Sequence, residues 1–224
     1  MQENSYQSFE DAPSGEVPVR GYLHLPDVSA ENGFVLTHGA GADCRSPLLV
    51  ALADALCATG FTVLRCDLPF RQLRPHGPPP RGCAEDNQRC LRRAVEVMRG
   101  KVRGHVCLGG HSYGGRQASM LVAAERGLVD ALLLLSYPLH PPKKLTQSRT
   151  THFPDIRTPS AFVHGTRDSF GSIEEMKAGL KLIPVRTQLV PVEGTGHELL
   201  NARNRSVLPG SIASIFADFL KMRQ

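Results

Sequence analysis

The chain has no tryptophan, and aromatic residues make up only 6% of its 224 positions. Few flat side chains are therefore on hand for unpaired bases to stack on. Long apolar runs are also missing. Runs such as Ala131–Leu135 fall far short of the roughly 20 residues needed to cross a bilayer. The first 18 residues are polar and lack the basic-then-apolar order of a secretory signal, so a cytoplasmic protein with no membrane partner is expected. Cysteine is sparse. Cys44, Cys57, Cys66, Cys83, Cys90 and Cys107 form no C-x-x-C pair and no dense framework, which excludes the common zinc modules and a disulfide scaffold. Cys57, Cys66 and Cys107 sit in apolar stretches and read as core fillers; Cys44 follows a glycine-rich turn and is left open. The formal charge is +5, but the basic residues are scattered and interrupted by acids, which describes a solvated surface and no nucleic-acid partner.

What is present is 41% hydrophobic content in a chain of 224 residues, enough for one full-sized core, with no compositional break along it. A single domain over 1–224 is expected, preceded within it by a polar segment, 1–18. Short β-branched or apolar runs at 19–25, 33–37, 61–66, 106–108, 131–135, 161–164 and 187–190 read as strands. Helical spacing appears at 48–58, 85–98, 115–124, 173–182 and about 211–220. Strands alternating with helices imply a mostly parallel sheet covered on both faces, the α/β class. Residues 68–82 carry Pro69, Arg71, Arg74, Pro75, Pro78, Pro79, Pro80 and Arg81, and are expected to form a surface loop without regular helix.

Chemistry concentrates around Gly110-His111-Ser112-Tyr113-Gly114, where a buried strand runs into a helix. A serine hydroxyl is a weak nucleophile. It must stand exposed on a tight turn beside a base and near backbone donors, and flanking glycines let that turn pack. Composition alone yields roughly 0.1 chance matches to this motif per chain, so the placement between strand and helix carries the weight. The base and its orienting acid are expected later in the chain, each after a strand. Asp168 follows the run at 161–164, and His197 stands in Glu193-Gly194-Thr195-Gly196-His197 after the run at 187–190. A developing oxyanion needs preset amides, one from the residue after the nucleophile and one from a loop such as Thr37-His38-Gly39-Ala40-Gly41. Tyr113 and Ala40 are the candidates, with Gly41 as the alternative. His38 is read as holding its loop, and His111 and His164 as packing or hydrogen-bonding residues. Gly41, Arg71, Tyr137 and His140 are the candidate substrate contacts. Arg71, Arg74, Arg81, Lys143 and Lys144 divide between a solvated face and a cationic rim favouring an anionic substrate.

Taken together, His38-Gly39, Gly110-His-Ser-Tyr-Gly-Gly115, His164-Gly-Thr-Arg-Asp168 and Gly194-Thr-Gly-His197 resemble the landmark motifs of the α/β-hydrolases over about 33–220. More narrowly, residues 36–43, the arginine-rich segment after Asp67 and Tyr137-Pro-Leu-His-Pro-Pro142 resemble a small branch near the dienelactone hydrolases. That branch includes a subunit of the NSL histone acetyltransferase complex. The resemblance implies an α/β-hydrolase fold with eight strands, one antiparallel; the seven strands read above would then lack one near the amino terminus. Dienelactone hydrolase itself implies a cysteine nucleophile where Ser112 stands, so lactone hydrolysis is not carried over. Only 136–159 is available for a lid, which implies a minimal one and an open site that draws specificity from the two proline-rich loops.

The expected function is a serine hydrolase cleaving an ester, thioester or small amide of a small-molecule substrate, without metal or organic cofactor. Two rivals stand beside it: a scaffold or regulatory subunit that kept the fold, and an acyltransferase. The intact set of Ser112, Asp168 and His197 argues against the first, and product analysis separates the second. Oligomeric state is not legible in the sequence.

Overall fold

The structure, a computed structural model, describes residues 6–27, 30–141, 144 and 146–222. Eight strands form one sheet: β1 (Tyr6–Asp11), β2 (Val19–His24), β3 (Asn32–Thr37), β4 (Phe61–Asp67), β5 (Val106–His111), β6 (Ala131–Leu135), β7 (Ser160–Gly165) and β8 (Thr187–Val192). Their spatial order is β1-β2-β4-β3-β5-β6-β7-β8. Strand β2 runs antiparallel to both β1 and β4, and every other pairing is parallel. The eighth strand, β1, lies in the segment read from sequence as merely polar. It is an edge strand with a mostly exposed surface, so it carries no apolar alternation to announce it.

Period-two alternation in the strands feeds two separate core layers. Phe34 and Leu36 of β3, Phe61 and Val63 of β4, and Leu133 and Leu135 of β6 point to one face. There they meet α1 (Pro47–Ala58) and the last helix, numbered α6 below (Leu208–Lys221), through Leu49, Leu52, Phe216 and Phe219. Val35, Leu64, Leu108, Leu132 and Leu134 point to the opposite face. They pack on α3 (Ala84–Arg99), α4 (Tyr113–Ala124) and α5 (Ile173–Leu180), which contribute Leu91, Val95, Leu121 and Met176.

Residues 68–82 depart from the expectation of loop alone, because they open with a short helix, α2 (Pro69–Leu73). Pro69 occupies its first turn, where the missing N–H has no helical partner to lose and the fixed φ suits helix entry. The segment 136–159 contains, among its described residues, only a 3-10 turn at Phe153–Asp155, so no helical cap covers the sheet end. Lys143, one of the candidate rim cations, lies outside the described residues. Among those described, no helix is long and apolar enough to cross a membrane.

Arg65, in the middle of β4, is buried, a feature the apolar run at 61–66 conceals. Its Nε donates to His24 Nε2 at 2.7 Å and its Nη1 to the Cys44 carbonyl. Its guanidinium lies over the rings of Tyr6 and Tyr22 at 5.0 and 5.2 Å. His24 Nδ1 reaches the Asp54 carboxylate at 3.1 Å, so the network ties the antiparallel edge of the sheet to α1. Burial, reinforced by the Arg65 charge, pushes the His24 pKa down to about 4. Cys44, left open above, is buried, and burial raises its thiol pKa.

Candidate active site

All four chemistry-bearing loops leave the carboxyl ends of parallel strands, where open α/β sheets collect their ligands. Ser112 follows β5 with φ 50° and ψ −112°, a strained conformation that a sharp strand-to-helix turn imposes on its central residue. The turn closes because its neighbours lack side chains. A Cβ on Gly110 would stand 2.7 Å from the Gly114 carbonyl carbon, and one on Gly114 would stand 2.5 Å from the His38 carbonyl oxygen.

The loops after β7 and β8 are laced together, and this sets the spacing of Asp168 and His197. Thr166 N–H donates to Val192 O at 3.1 Å, Arg167 N–H to Thr195 O at 2.8 Å, and Gly194 N–H to Thr166 Oγ1 at 2.9 Å. His111 Nε2 then donates to the His197 carbonyl at 2.8 Å and holds the His197 loop against the Ser112 turn. The result is a continuous chain. His197 Nδ1 donates to Asp168 Oδ2 at 2.8 Å, which leaves Nε2 free to accept the Ser112 hydroxyl at 2.7 Å. The second carboxylate oxygen accepts the Phe170 N–H at 2.8 Å. Burial raises the Asp168 pKa, but the bonds from His197 and Phe170 and the nearby imidazoles outweigh it, and the carboxyl titrates below its ordinary range. Phe170 also packs its ring against that of His197, tilted by 30° with centroids 4.2 Å apart. His164 donates from Nε2 to Gly171 O at 2.8 Å and thereby shapes the loop that carries Asp168.

The loop after β3 is pinned from below. His38 Nδ1 donates to Gly39 O at 2.8 Å and its Nε2 accepts the Leu68 N–H at 3.0 Å, a neutral imidazole in keeping with a pKa lowered by burial. Arg71, buried at the start of the proline-rich segment, donates Nε to Ala42 O at 2.9 Å. Its Nη2 donates to Ala40 O at 2.7 Å and Gly77 O at 3.0 Å, and its Nη1 to Arg74 O at 3.2 Å. In a trans peptide the N–H points opposite to the C=O. Engaging Gly39 O and Ala40 O from the loop's inner side therefore turns the Ala40 and Gly41 amides outward. Among the described residues neither amide donates to a backbone carbonyl, whereas Ala42 N–H is taken by Gly39 O at 3.2 Å. Tyr113 N–H, at the first position of α4, is likewise uncommitted.

An open cleft of about 480 Å³ surrounds the Ser112 hydroxyl. Ala40, Gly41, Tyr113 and His197 line it, as do Arg116, Pro138, Arg149 and Phe170. Three candidate substrate contacts are placed elsewhere. Arg71 spends its donors on the carbonyls just named and does not reach the cleft. Tyr137 is fully buried, with its hydroxyl donating to Arg149 O at 2.7 Å. His140 is buried against Pro141 O and the Glu175 carboxylate, in a separate surface depression. No residue of 68–82 lines the cleft, so that loop acts on the site only by anchoring. Sequence reading missed Phe170, Arg116 and Arg149. Arg116 was within reach, since four residues after Ser112 on a helix lies on the same face. Arg149 comes from a segment with no periodicity and offers no local signal.

The profile of the family described as alpha/beta hydrolase domain matches residues 30–210. Among solved structures, the chain is similar to Est1E from Butyrivibrio proteoclasticus at 16% identity and a TM-score of 0.75, covering 96% of this chain and 99% of that one. It is similar to XC6422 from Xanthomonas campestris, described as a serine hydrolase without a lid, at 20% identity and TM-score 0.73, covering 97% of each chain. A dienelactone hydrolase from Anabaena variabilis superposes at 19% identity and TM-score 0.72, covering 96% of this chain and 99% of that one. At these identities the likeness is one of fold.

Proposed function

This chain belongs to the alpha/beta hydrolase domain family, and from that premise we propose that it is a serine hydrolase of carboxylesterase type acting on the acyl bond of a small substrate. The observation that carries the reading is the hydrogen-bonded chain from Asp168 through His197 to Ser112, with links of 2.8 and 2.7 Å, opening onto a solvent-accessible cleft.

In this reading His197 Nε2 takes the Ser112 proton as Oγ attacks the substrate carbonyl carbon. The imidazolium so formed is held by the Asp168 carboxylate. The carbonyl π electrons move to oxygen, and the negative charge is met by the Tyr113 amide and by that of Ala40 or Gly41. When the tetrahedral centre collapses, the bond to the leaving group breaks and His197 returns the proton to it, leaving an acyl-serine. Water, deprotonated by the same imidazole, repeats the sequence and releases the acid and free Ser112.

The test is covalent labelling by a fluorophosphonate probe, with native protein beside Ser112→Ala, followed by turnover of a chain-length series of p-nitrophenyl esters. Circular dichroism on both proteins establishes that they are folded. Labelling and turnover by the native protein alone are expected. Folded native protein that neither takes the probe nor turns over any ester would overturn the reading. Product analysis with added alcohol tests hydrolysis against acyl transfer.

A further inference from the structure

The arginines of this protein fall into groups by how their charge is answered. Arg20, Arg45, Arg89, Arg92, Arg93 and Arg99 pair with carboxylates. The buried or half-buried Arg65, Arg71 and Arg186 donate to backbone carbonyls. Of the remaining described arginines all but two are exposed to water, Arg103 and Arg126 among them. Arg116 and Arg149 fit none of these. Both are half-buried and both line the Ser112 cleft. Among the described residues neither guanidinium donates to any acceptor or lies within 4 Å of a carboxylate, and Arg116 Nε is buried with no partner at all. The Arg149 guanidinium feels the charge of Arg116: burial, then Arg116, lowers its pKa. Glu198, the one carboxylate among the lining residues, is exposed on the His197 side and pairs with neither.

Two like charges, partly stripped of water and without a counter-ion, repel each other and forgo the hydrogen bonds their forked donors are shaped to make. An anion between them removes both penalties. Arg116 is fixed one helical turn beyond the nucleophile, and Arg149 is held by its own backbone, whose N–H donates to Leu139 O and whose carbonyl accepts from Tyr137. The backbone origins of both side chains are therefore fixed relative to the Ser112 hydroxyl. We infer that Arg116 and Arg149 form the specificity subsite of this cleft and bind a carboxylate or phosphate group carried by the substrate. The inference rests on the serine-hydrolase reading for its link to turnover, but the anion site itself stands on the two guanidiniums.

The first experiment is a binding one and needs no chemistry. Monoethyl glutarate, ethyl valerate and inorganic phosphate are titrated by calorimetry onto Ser112→Ala protein, and onto the same protein carrying Arg116→Gln, Arg149→Gln or both. Saturable binding of the charged ester but not the neutral one is expected, about tenfold weaker in each single variant and lost in the double. Arg103→Gln, which removes one exposed charge elsewhere, serves as the control. The phosphate titration tells which oxyanion the pair prefers. The second experiment compares kcat/KM for monoethyl succinate, glutarate and adipate with that for neutral ethyl esters of equal length, by pH-stat. A preference of about tenfold or more for the acids is expected, shrinking as sodium chloride is raised. Binding without turnover of either series would overturn the hydrolase reading and leave the anion subsite standing. Turnover of neutral esters as fast as the acids, with no binding of either anion, would overturn the subsite and leave the hydrolase.

Discussion

Replacing Arg71 separates two roles that its position in the chain leaves confounded. If it met the substrate, its loss would raise KM, most of all for anionic esters. The geometry makes it an anchor instead, with three of its nitrogens holding the carbonyls of Ala40, Ala42, Arg74 and Gly77 at 2.7 to 3.2 Å. The peptides so anchored carry the amides proposed to face the oxyanion. Removing one oxyanion donor outright costs about 10²- to 10³-fold in kcat, so that range bounds the effect of letting the loop swing. Lysine keeps the charge but cannot reach three directions from one ammonium. Arg71→Lys should therefore lower kcat by roughly 10- to 100-fold, and Arg71→Leu by up to about 10³-fold. KM for a small neutral ester should move by less than about threefold, since uniform binding is untouched. The leucine variant also leaves carbonyls without their charged donor, a loss of about 2–4 kcal/mol in urea unfolding. The assay is steady-state hydrolysis of p-nitrophenyl acetate and of a monoethyl dicarboxylate, with thermal melts to establish folding at assay temperature. A folded Arg71→Lys with native kcat, or one whose KM rises only for the anionic ester, would refute the anchoring argument.

Further outcomes follow from the same geometry. Asp168→Asn should leave the fold intact and lower kcat by about 10³- to 10⁴-fold, because an amide no longer compels the His197 tautomer that accepts from Ser112; a tenfold effect would be too small for that role. Gly114→Ala places a Cβ 2.5 Å from the His38 carbonyl oxygen, a rigid backbone atom, and should destabilise the protein by about 1–3 kcal/mol in urea midpoint while also lowering turnover. His24 is 2% exposed with its pKa lowered to about 4 from 6.5, so the unfolded chain takes up its proton first as pH falls. Stability should then be complete above about pH 6.5 and drain away toward pH 4, by on the order of 3 kcal/mol from this residue. In His24→Gln that acid slope should flatten, which unfolding curves at pH 7.5, 6 and 5 will report.

How far the sequence reached can be judged from particular residues. Strands β3 to β7 were legible because each is buried on both faces, so most of their side chains are apolar or small and the run stands out against polar flanks. The order of Ser112, Asp168 and His197, each after its strand, was legible for a related reason: strand ends are where a parallel sheet leaves its loops. Strand β1 was not, since an exposed edge strand is stabilised by pairing with β2 and has no pattern of its own. Arg65 escaped notice because its burial depends on His24, Cys44, Tyr6 and Tyr22, drawn from three other stretches of chain.

The cationic side chains show the division most clearly. Sequence left Arg71, Arg74 and Arg81, with Lys143 and Lys144, divided between a solvated face and a cationic rim, because loops after strands point at the site and basic residues are abundant there. Which arginine is spent on carbonyls and which is left unanswered depends on acceptors brought in from elsewhere, and no local pattern encodes them. Arg71 proved committed to the loop after β3, while Arg116 and Arg149, separated by 33 positions of sequence, came to face one cleft. Periodicity and motif order, being properties of neighbouring residues, determined the central strands, the turn at Ser112 and the order of Asp168 and His197. Only the tertiary structure decided which polar groups are satisfied, because satisfaction is settled between residues that the chain itself keeps far apart.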